Sequence, residues 1–343
     1  LILLYKDVQN FLTEKYNSTS IYFDQFMEES LYSEYGFFNN EKTRSKKTGD
    51  FLTSPEVSEF FGNLIETWLD NNSILGTIVE FGSGTGSLIK NFSDEKKKRL
   101  NAIEKSSTAR FELKKLGIPI FDSISKLKKQ KIDLIFGNEI LDNIPCSIAI
   151  YKDNKWYEKG VDLSKDFFSY KLLPIRDKEF MWLNDNKIVG NEDIEIEIQT
   201  NINEFVASLI EKYQPNYFLF IDYGYLQKNR SNRNYTSLLR TYKNHHLAGE
   251  PIDNFGKVDI TYDINFSALE KFFLENRYEV TISEQKDFLE ECDALTILKK
   301  LQNLFSISEG LEKLKIKDKI LGLNTILDPN GLGGFYVLRA KKV

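Results

Sequence analysis

Ile78-Val79-Glu80-Phe81-Gly82-Ser83-Gly84-Thr85-Gly86-Ser87 is the stretch on which the fold turns. An apolar run ends in an acid, and a loop follows with glycine at every second position. Leu88 and Ile89 then continue in helix-compatible residues. The order reads as strand, tight turn, helix. Glycine admits positive φ and lets a ligand come within contact distance of the main chain. A helix behind such a loop would add unpaired N–H groups and the positive end of its dipole. The stretch is built to hold a nucleotide-like ligand, although a glycine-rich turn without any ligand has the same local pattern.

Two ligands fit a loop of this kind. A dinucleotide site calls for G-x-G-x-x-G behind a strand. Here Gly82, Gly84 and Gly86 give G-x-G-x-G, and position 87 is serine. Acid-x-G-x-G-x-G is instead the pattern of S-adenosylmethionine (SAM) sites on Rossmann-like sheets. SAM carries no pyrophosphate, so the third glycine at dinucleotide spacing is not required.

The rest of the composition narrows the classes. A chain of 343 residues, 41% hydrophobic and 28% charged, is an ordinary globular length and mixture. A net charge of −5 argues against a nucleic-acid footprint. The lysine runs at 96–98 and 126–131 read as solvated faces. Cys146 and Cys292 are too few for a disulfide framework or a zinc cluster, and His245 and His246 are sequence neighbours, so no metal site is expected. Low cysteine usage points to a reducing compartment, cytoplasmic or, in a eukaryote, the mitochondrial matrix. No run reaches membrane-spanning length, and Leu1 to Leu4 is too short for a signal core.

Along the chain, residues Val8 to Tyr35 read as helical. Ser54 reads as an N-cap, Pro55 as a first-turn residue and Glu56 as a dipole partner. Val57, Phe60, Phe61, Leu64, Ile65, Trp68 and Leu69 then recur at helical spacing. Seven short apolar runs alternate with helical stretches: Thr77–Phe81, Leu100–Glu104, Ile118–Asp122, Ile132–Gly137, Tyr217–Tyr223, Glu279–Ser283 and Phe335–Ala340. That alternation predicts an α/β fold, a mostly parallel Rossmann-like sheet covered on both faces. Insertions are expected after the fourth and fifth runs, at about Cys146–Asn201 and Leu226–Ile264. The first insertion carries antiparallel patterning at Ile148–Tyr151, Trp156–Val161 and Tyr170–Leu173. The expected organisation is a helical region over 1–76, a ligand-binding domain over 77–145 and 202–343, and an inserted substrate or lid subdomain over 146–201.

In open α/β sheets, ligands lie at the carboxyl ends of the strands. Glu104 ends the second run and suits two ribose hydroxyls. Asp122 ends the third run, placed either for an adenine amino group or as a cap. Asn138-Glu139 with Asp142 follows the fourth run, where groups would face a sulfonium and its acceptor; a capping role is the plainer reading of Asn138.

With these residues the chain resembles the MidA-like methyltransferases, a family that includes the mitochondrial complex I assembly factor that methylates an arginine of a complex I subunit. The resemblance is carried by Tyr35-Gly36-Phe37-Phe38, by Gly49-Asp50-Phe51-Leu52-Thr53-Ser54-Pro55-Glu56 with Phe61-Gly62, and by Val79 to Leu88. It continues through Asn138-Glu139 with Leu141-Asp142 and Pro145, Ile221-Asp222-Tyr223-Gly224, and Leu239-Arg240-Thr241-Tyr242 with His245. Gly256, Asp259-Ile260-Thr261, Phe266-Ser267, Gln285 and Leu332-Gly333 complete it. The chain departs from the family pattern at Ser83, Asn143 and Asp263. The resemblance implies a seven-stranded methyltransferase sheet with SAM as cofactor and a protein, specifically an arginine side chain, as acceptor. The implied cofactor contacts are Thr53, Ser54, Pro55, Glu80, Gly82, Ser83, Gly84, Gly86, Glu104, Asp122 and Asn138. Glu139 would face the acceptor, with Asp142, Asp222 and Asp259 as further catalytic candidates, because carboxylates hold a guanidinium through paired hydrogen bonds. Two other functions stay open. One is a largely non-catalytic SAM-binding assembly factor, for which Tyr151, Trp156, Tyr157, Phe167 and Phe168 would offer an aromatic surface. The other is a small-molecule methyltransferase.

Overall fold

The computed structural model describes residues 2–39, 53–128, 130–192, 194–232, 237–243 and 246–343. Residues 49–52 and His245, quoted above, lie outside them. The first part of the chain forms helix α1 (Ile2–Tyr16), a short strand β1 (Ser20–Tyr22), helix α2 (Phe23–Tyr32), the single turn α3 (Ser54–Val57) and α4 (Phe60–Asn71). The core strands then begin with β2 (Thr77–Phe81), β3 (Leu100–Ile103), β4 (Ile120–Phe121) and β5 (Ile132–Asn138), with short helices α5 (Asp94–Lys97) and α6 (Ser107–Leu113) between them. Next come β6 (Ser147–Lys152), β7 (Lys155–Asp162), β8 (Ser169–Pro174), α7 (Asp177–Asp185), β9 (Glu195–Ile198), α8 (Thr200–Tyr213) and β10 (Tyr217–Asp222). Short strands β11 (Gly224–Tyr225), β12 (Leu239–Lys243), β13 (His246–Leu247), β14 (Asp259–Tyr262) and β15 (Ile264–Asn265) lead to α9 (Phe266–Glu275) and β16 (Tyr278–Glu284). Helices α10 (Gln285–Glu291), α11 (Ala294–Ile307) and α12 (Gly310–Leu327) precede the closing strand β17 (Tyr336–Lys342).

All seven apolar runs are strands of one sheet, in the order β16-β17-β10-β5-β2-β3-β4. Pairings among β10, β5, β2, β3 and β4 are parallel, while β17 is antiparallel to both neighbours. The runs are continuous because both faces of the sheet are covered. In β10, Phe218 and Phe220 enter the layer made with α1, α2, α8 and α9, whereas Leu219 and Ile221 enter the layer made with α4, α10, α11 and α12. The same two-residue alternation divides Ile78 from Val79 and Leu134 from Ile135.

A second sheet is antiparallel. β7 pairs with β6, β8 and β1, and β9 joins β6. Ser20, Ile21 and Tyr22 register against Asp162, Val161 and Gly160, so the segment before position 76 and the segment after β5 share a sheet.

Several local expectations fail for identifiable reasons. No α-helix follows the glycine loop: only Ile89–Asn91 forms a 3₁₀ turn, after which Ser93 caps the separate helix α5. The helix expected from Ser54 breaks at Ser58, and its cap is Thr53, whose N–H donates to Glu56 Oε2 at 3.3 Å. Tyr22 ends an extended segment within the stretch read as helical. Lys96 is buried rather than solvated, its ammonium paired with Asp70. Phe168 is buried in the core, although Phe167 is exposed.

Candidate active site

The registers that align Phe81 with Ile103 and with Gly137, and Ile221 with Asn138, bring the carboxyl ends of β2, β3, β5 and β10 side by side. The chain steps outward from β2 to β3 and β4 in one direction and resumes at β5 in the other. The crevice between β2 and β5 is therefore the switch point where such sheets bind ligands. A cavity of about 660 Å³ opens there, within the range typical of small-molecule sites.

Its floor is the glycine loop. Gly82, Gly84 and Gly86 all have positive φ, at 66°, 52° and 81°. A side chain on Gly82 would collide with Ile140. The loop's N–H groups are largely committed: Gly82 N–H donates to Ile103 O at 2.9 Å and Gly86 N–H to Ser83 O at 2.9 Å. Gly84 N–H donates to Glu104 Oε2 at 2.8 Å, and Ser106 N–H to Glu104 Oε1 at 2.7 Å. No helix dipole stands behind the loop to hold a pyrophosphate, which disfavours a dinucleotide. Glu104, whose oxygens each have a lone pair to spare, is suited to hydroxyl donors. Asp122 lines the same end, half exposed, its carboxyl held below the usual range by the hydrogen bond from Lys126.

Glu139 stands at the other end. It is a non-glycine residue at φ 53°, a conformation that costs on the order of 1–3 kcal/mol and concentrates at functional sites. Its N–H still pairs with Ile221 O at 2.8 Å, so the sheet holds the backbone while the side chain turns to the cavity. Asn138 Nδ2 donates to Glu139 Oε1 at 2.9 Å, and Ser54 N–H donates to the same carboxyl. Burial and the nearby Asp142 push Glu139 up to about 8. Burial likewise pushes Glu80, on the cavity wall, up to about 8.

Of the residues proposed from sequence, Thr53, Pro55, Glu80, Gly82, Ser83, Gly84, Glu104, Asp122, Asn138 and Glu139 line the cavity. Ser54 lies behind it, its hydroxyl on Gln285 Oε1 at 3.2 Å, and Gly86 turns the loop without lining the space. Asp142, Asp222 and Asp259 are buried off the lining. Asp222 Oδ2 accepts from the N–H of Leu141 and Asp142 at 2.9 and 3.3 Å. Asp259 Oδ1 accepts from Asn143 Nδ2 at 2.9 Å, and Tyr223 donates its hydroxyl to Asp142. These three acids hold the loop behind Glu139. Burial beside Asp142 and Glu139 raises the Asp222 carboxyl well above the usual range.

Sequence reasoning missed the roof. Asp24, Gln25, Glu28 and Tyr32 of α2 line the cavity, while Phe23, Phe26, Met27 and Leu31 bury the opposite face. The signal was present: Asp24, Glu28 and Tyr32 recur every four residues along one side of the helix.

The lining fits SAM. Glu80 Oε2 and Asn138 Oδ1 are buried acceptors with no partner among the described residues, and buried polar atoms without partners call for a ligand or water. Two acceptors beside the glycine loop suit an ammonium-bearing methionine moiety, and Glu104 suits the ribose. Among the described residues no cluster of His, Cys, Asp and Glu could hold a metal ion, and no helix is long and apolar enough to cross a membrane.

Comparison with known proteins agrees. A family model described as "Putative S-adenosyl-L-methionine-dependent methyltransferase" matches residues 62–282. The chain is similar to a protein of Caenorhabditis elegans named protein arginine methyltransferase NDUFAF7 homolog, mitochondrial, at 25% identity over 87% of this chain and 76% of the relative. The Drosophila melanogaster protein of the same name is 23% identical over 71% of this chain, which spans 64% of that relative. Among solved structures, a COG1565 superfamily member and likely methyl transferase from Burkholderia thailandensis, bound to S-adenosyl-homocysteine, superposes with a TM-score of 0.83. The alignment covers 99% of this chain and 93% of that one at 20% identity. A native structure of an uncharacterized COG1565 superfamily protein from the same organism gives a TM-score of 0.79, with the same coverage and identity. Sheet order, loop chemistry and a family match over well more than half of its length place the chain in the MidA-like family of S-adenosyl-L-methionine-dependent methyltransferases.

Proposed function

We propose that the chain methylates an arginine side chain of a protein, with Glu139 as the residue that meets the acceptor. The supporting observation is the half-buried, left-handed Glu139 on the cavity wall. The nematode and fruit-fly relatives carry the name of protein arginine methyltransferases. SAM, when bound, supplies a sulfonium methyl group that an acceptor lone pair takes in an in-line displacement. The chain's residues align the acceptor and manage its proton, and such positioning contributes about 7–11 kcal/mol to rate enhancements.

A guanidinium that gains a methyl group must shed one proton. Glu139 receives it in this reading. A guanidinium beside the carboxyl favours its charged form, so arrival of the acceptor ionises a group that burial otherwise keeps protonated near neutral pH. Asp222 and Asp259 act through the backbone and side chain of residues 141–143, fixing where Glu139 points. Asp142 adds negative charge behind it.

The test is incubation with labelled SAM and cell extract, followed by mass spectrometry of labelled proteins. Label on arginine is expected. Glu139→Gln should keep SAM affinity in calorimetry and lose transfer, whereas Gly84→Val and Glu104→Ala should lose SAM affinity. Label only on a small molecule would refute the protein acceptor.

A further inference from the structure

Two cations of this chain already meet the acids of α2 that line the cavity, and one of them, Lys105, lines it too. Arg176 Nη2 lies 3.0 Å from Asp24 Oδ1, and its guanidinium sits 4.0 Å from the centre of the Tyr22 ring. Lys105 Nζ lies 3.7 Å from the centre of the Tyr32 ring and 3.8 Å from Glu28 Oε1. Acid and aromatic ring meet each cation in the same way.

The two cations differ in how firmly they are held. Arg176 Nε bonds Glu158 Oε1 at 3.1 Å, and its Nη2 bonds Glu158 Oε2 at 2.7 Å and Ser147 Oγ at 2.8 Å. It is a fixture of the second sheet. The Lys105 side chain is 59% exposed and that of Glu28 44%, and 3.8 Å is beyond hydrogen-bond reach. The Lys105 ammonium is thus a loosely held occupant of the cavity wall.

Tyr32 connects that wall to the reacting end. Its hydroxyl donates to Asn143 O at 3.1 Å, within the loop that Asp222 and Asp259 hold behind Glu139. Phe38 stacks on Tyr32 at 5.5 Å and 22° and also lines the cavity. A planar guanidinium satisfies both groups at once, its face on the ring and its edge N–H donors on the carboxylate. An ammonium is a point charge without that two-sided match.

We propose that Glu28 and Tyr32 form the subsite that receives the positively charged side chain of the methyl acceptor, and that Lys105 is its resident cation, displaced when the acceptor enters. The assignment rests on the arginine reading above and names the residues that would select arginine over lysine. Lys105 is then a competitor, and its removal has the opposite sign from removal of Glu28.

The experiment uses the full chain saturated with S-adenosylhomocysteine, which permits no turnover, and titrates it with Nα-acetylarginine amide or Nα-acetyllysine amide by NMR. Lys105→Met should tighten the arginine probe about two- to fivefold, the size of an exposed cation–π competition. Glu28→Gln should weaken it by a similar or larger factor, and Tyr32→Leu should reduce the preference for arginine over lysine. S-adenosylhomocysteine affinity and thermal midpoint serve as fold controls for each variant. Equal or weaker binding in Lys105→Met, or no loss in Glu28→Gln, overturns the subsite while leaving the arginine reading intact. No binding of the arginine probe to any variant that still binds S-adenosylhomocysteine overturns both.

Discussion

Replacing Glu80 with glutamine should make the cofactor-free protein progressively more stable, relative to wild type, as pH rises. Glu80 is 4% exposed at the end of β2, and one of its oxygens has no partner among the described residues. Burial moves its carboxyl from 4.5 to about 8. The native state therefore holds this proton more tightly than the unfolded chain. Stability that is fully present below about pH 4.5 is lost as pH climbs through 8, at up to about 1.4 kcal/mol per pH unit. Over the whole interval the loss approaches about 5 kcal/mol, a large share of the 5–15 kcal/mol that typically separates folded from unfolded protein. Glutamine keeps the shape and cannot ionise. Glu139, which has a similar shift, is present in both proteins and cancels in the difference. Urea titrations followed by far-ultraviolet circular dichroism at pH 5, 6.5 and 8 give that difference directly. A stability gap between variant and wild type that stays constant across the three pH values would refute the placement of Glu80 as a buried carboxyl that retains its proton.

Three further outcomes follow from described contacts. The pH profile of kcat/KM should rise through a limb near pH 8, because free enzyme must lose the Glu139 proton before the carboxyl can accept another; Glu80→Gln should retain that limb. Gly82→Ala combines a φ of 66° with a collision at Ile140 and should cost about 1–3 kcal/mol, read as a lowered thermal midpoint together with weaker SAM binding. Arg176→Met strips the buried carboxylates of Glu158 and Glu179 of their shared partner and should cost about 3–5 kcal/mol in urea unfolding; a loss under 1 kcal/mol would show that those acids do not depend on it.

The central sheet was legible in the sequence because each strand is apolar on both faces and so stands out as an unbroken run, as Phe218 to Ile221 does. Glu104 and Glu139 were legible because strand ends fix where a side chain can go. What the sequence hid were features set by distant partners. Ser20–Tyr22 is strand because Gly160–Asp162 offers it an edge, and three residues carry no periodicity of their own. Asp142, Asp222 and Asp259 sit at suggestive positions, but only the fold shows that Asp222 and Asp259 accept from the 141–143 loop and that Asp142 accepts from Tyr223. The row Asp24, Glu28 and Tyr32 shows its four-residue spacing in the sequence, but only the fold shows that this face of the helix lines a cavity.

The position of β17 has a consequence for synthesis. This strand slots between β10 and β16 and pairs with both. It follows the end of β10 by roughly 110 residues, so at about 5–20 residues per second the open edge of β10 waits roughly 5–20 s for its partner on the ribosome. The row Tyr217 to Asp222 is apolar along most of its length and would present unpaired backbone for that interval, the kind of edge that recruits other chains. Whatever shelters that edge during synthesis governs the yield of folded protein, independently of how well the finished site binds its cofactor.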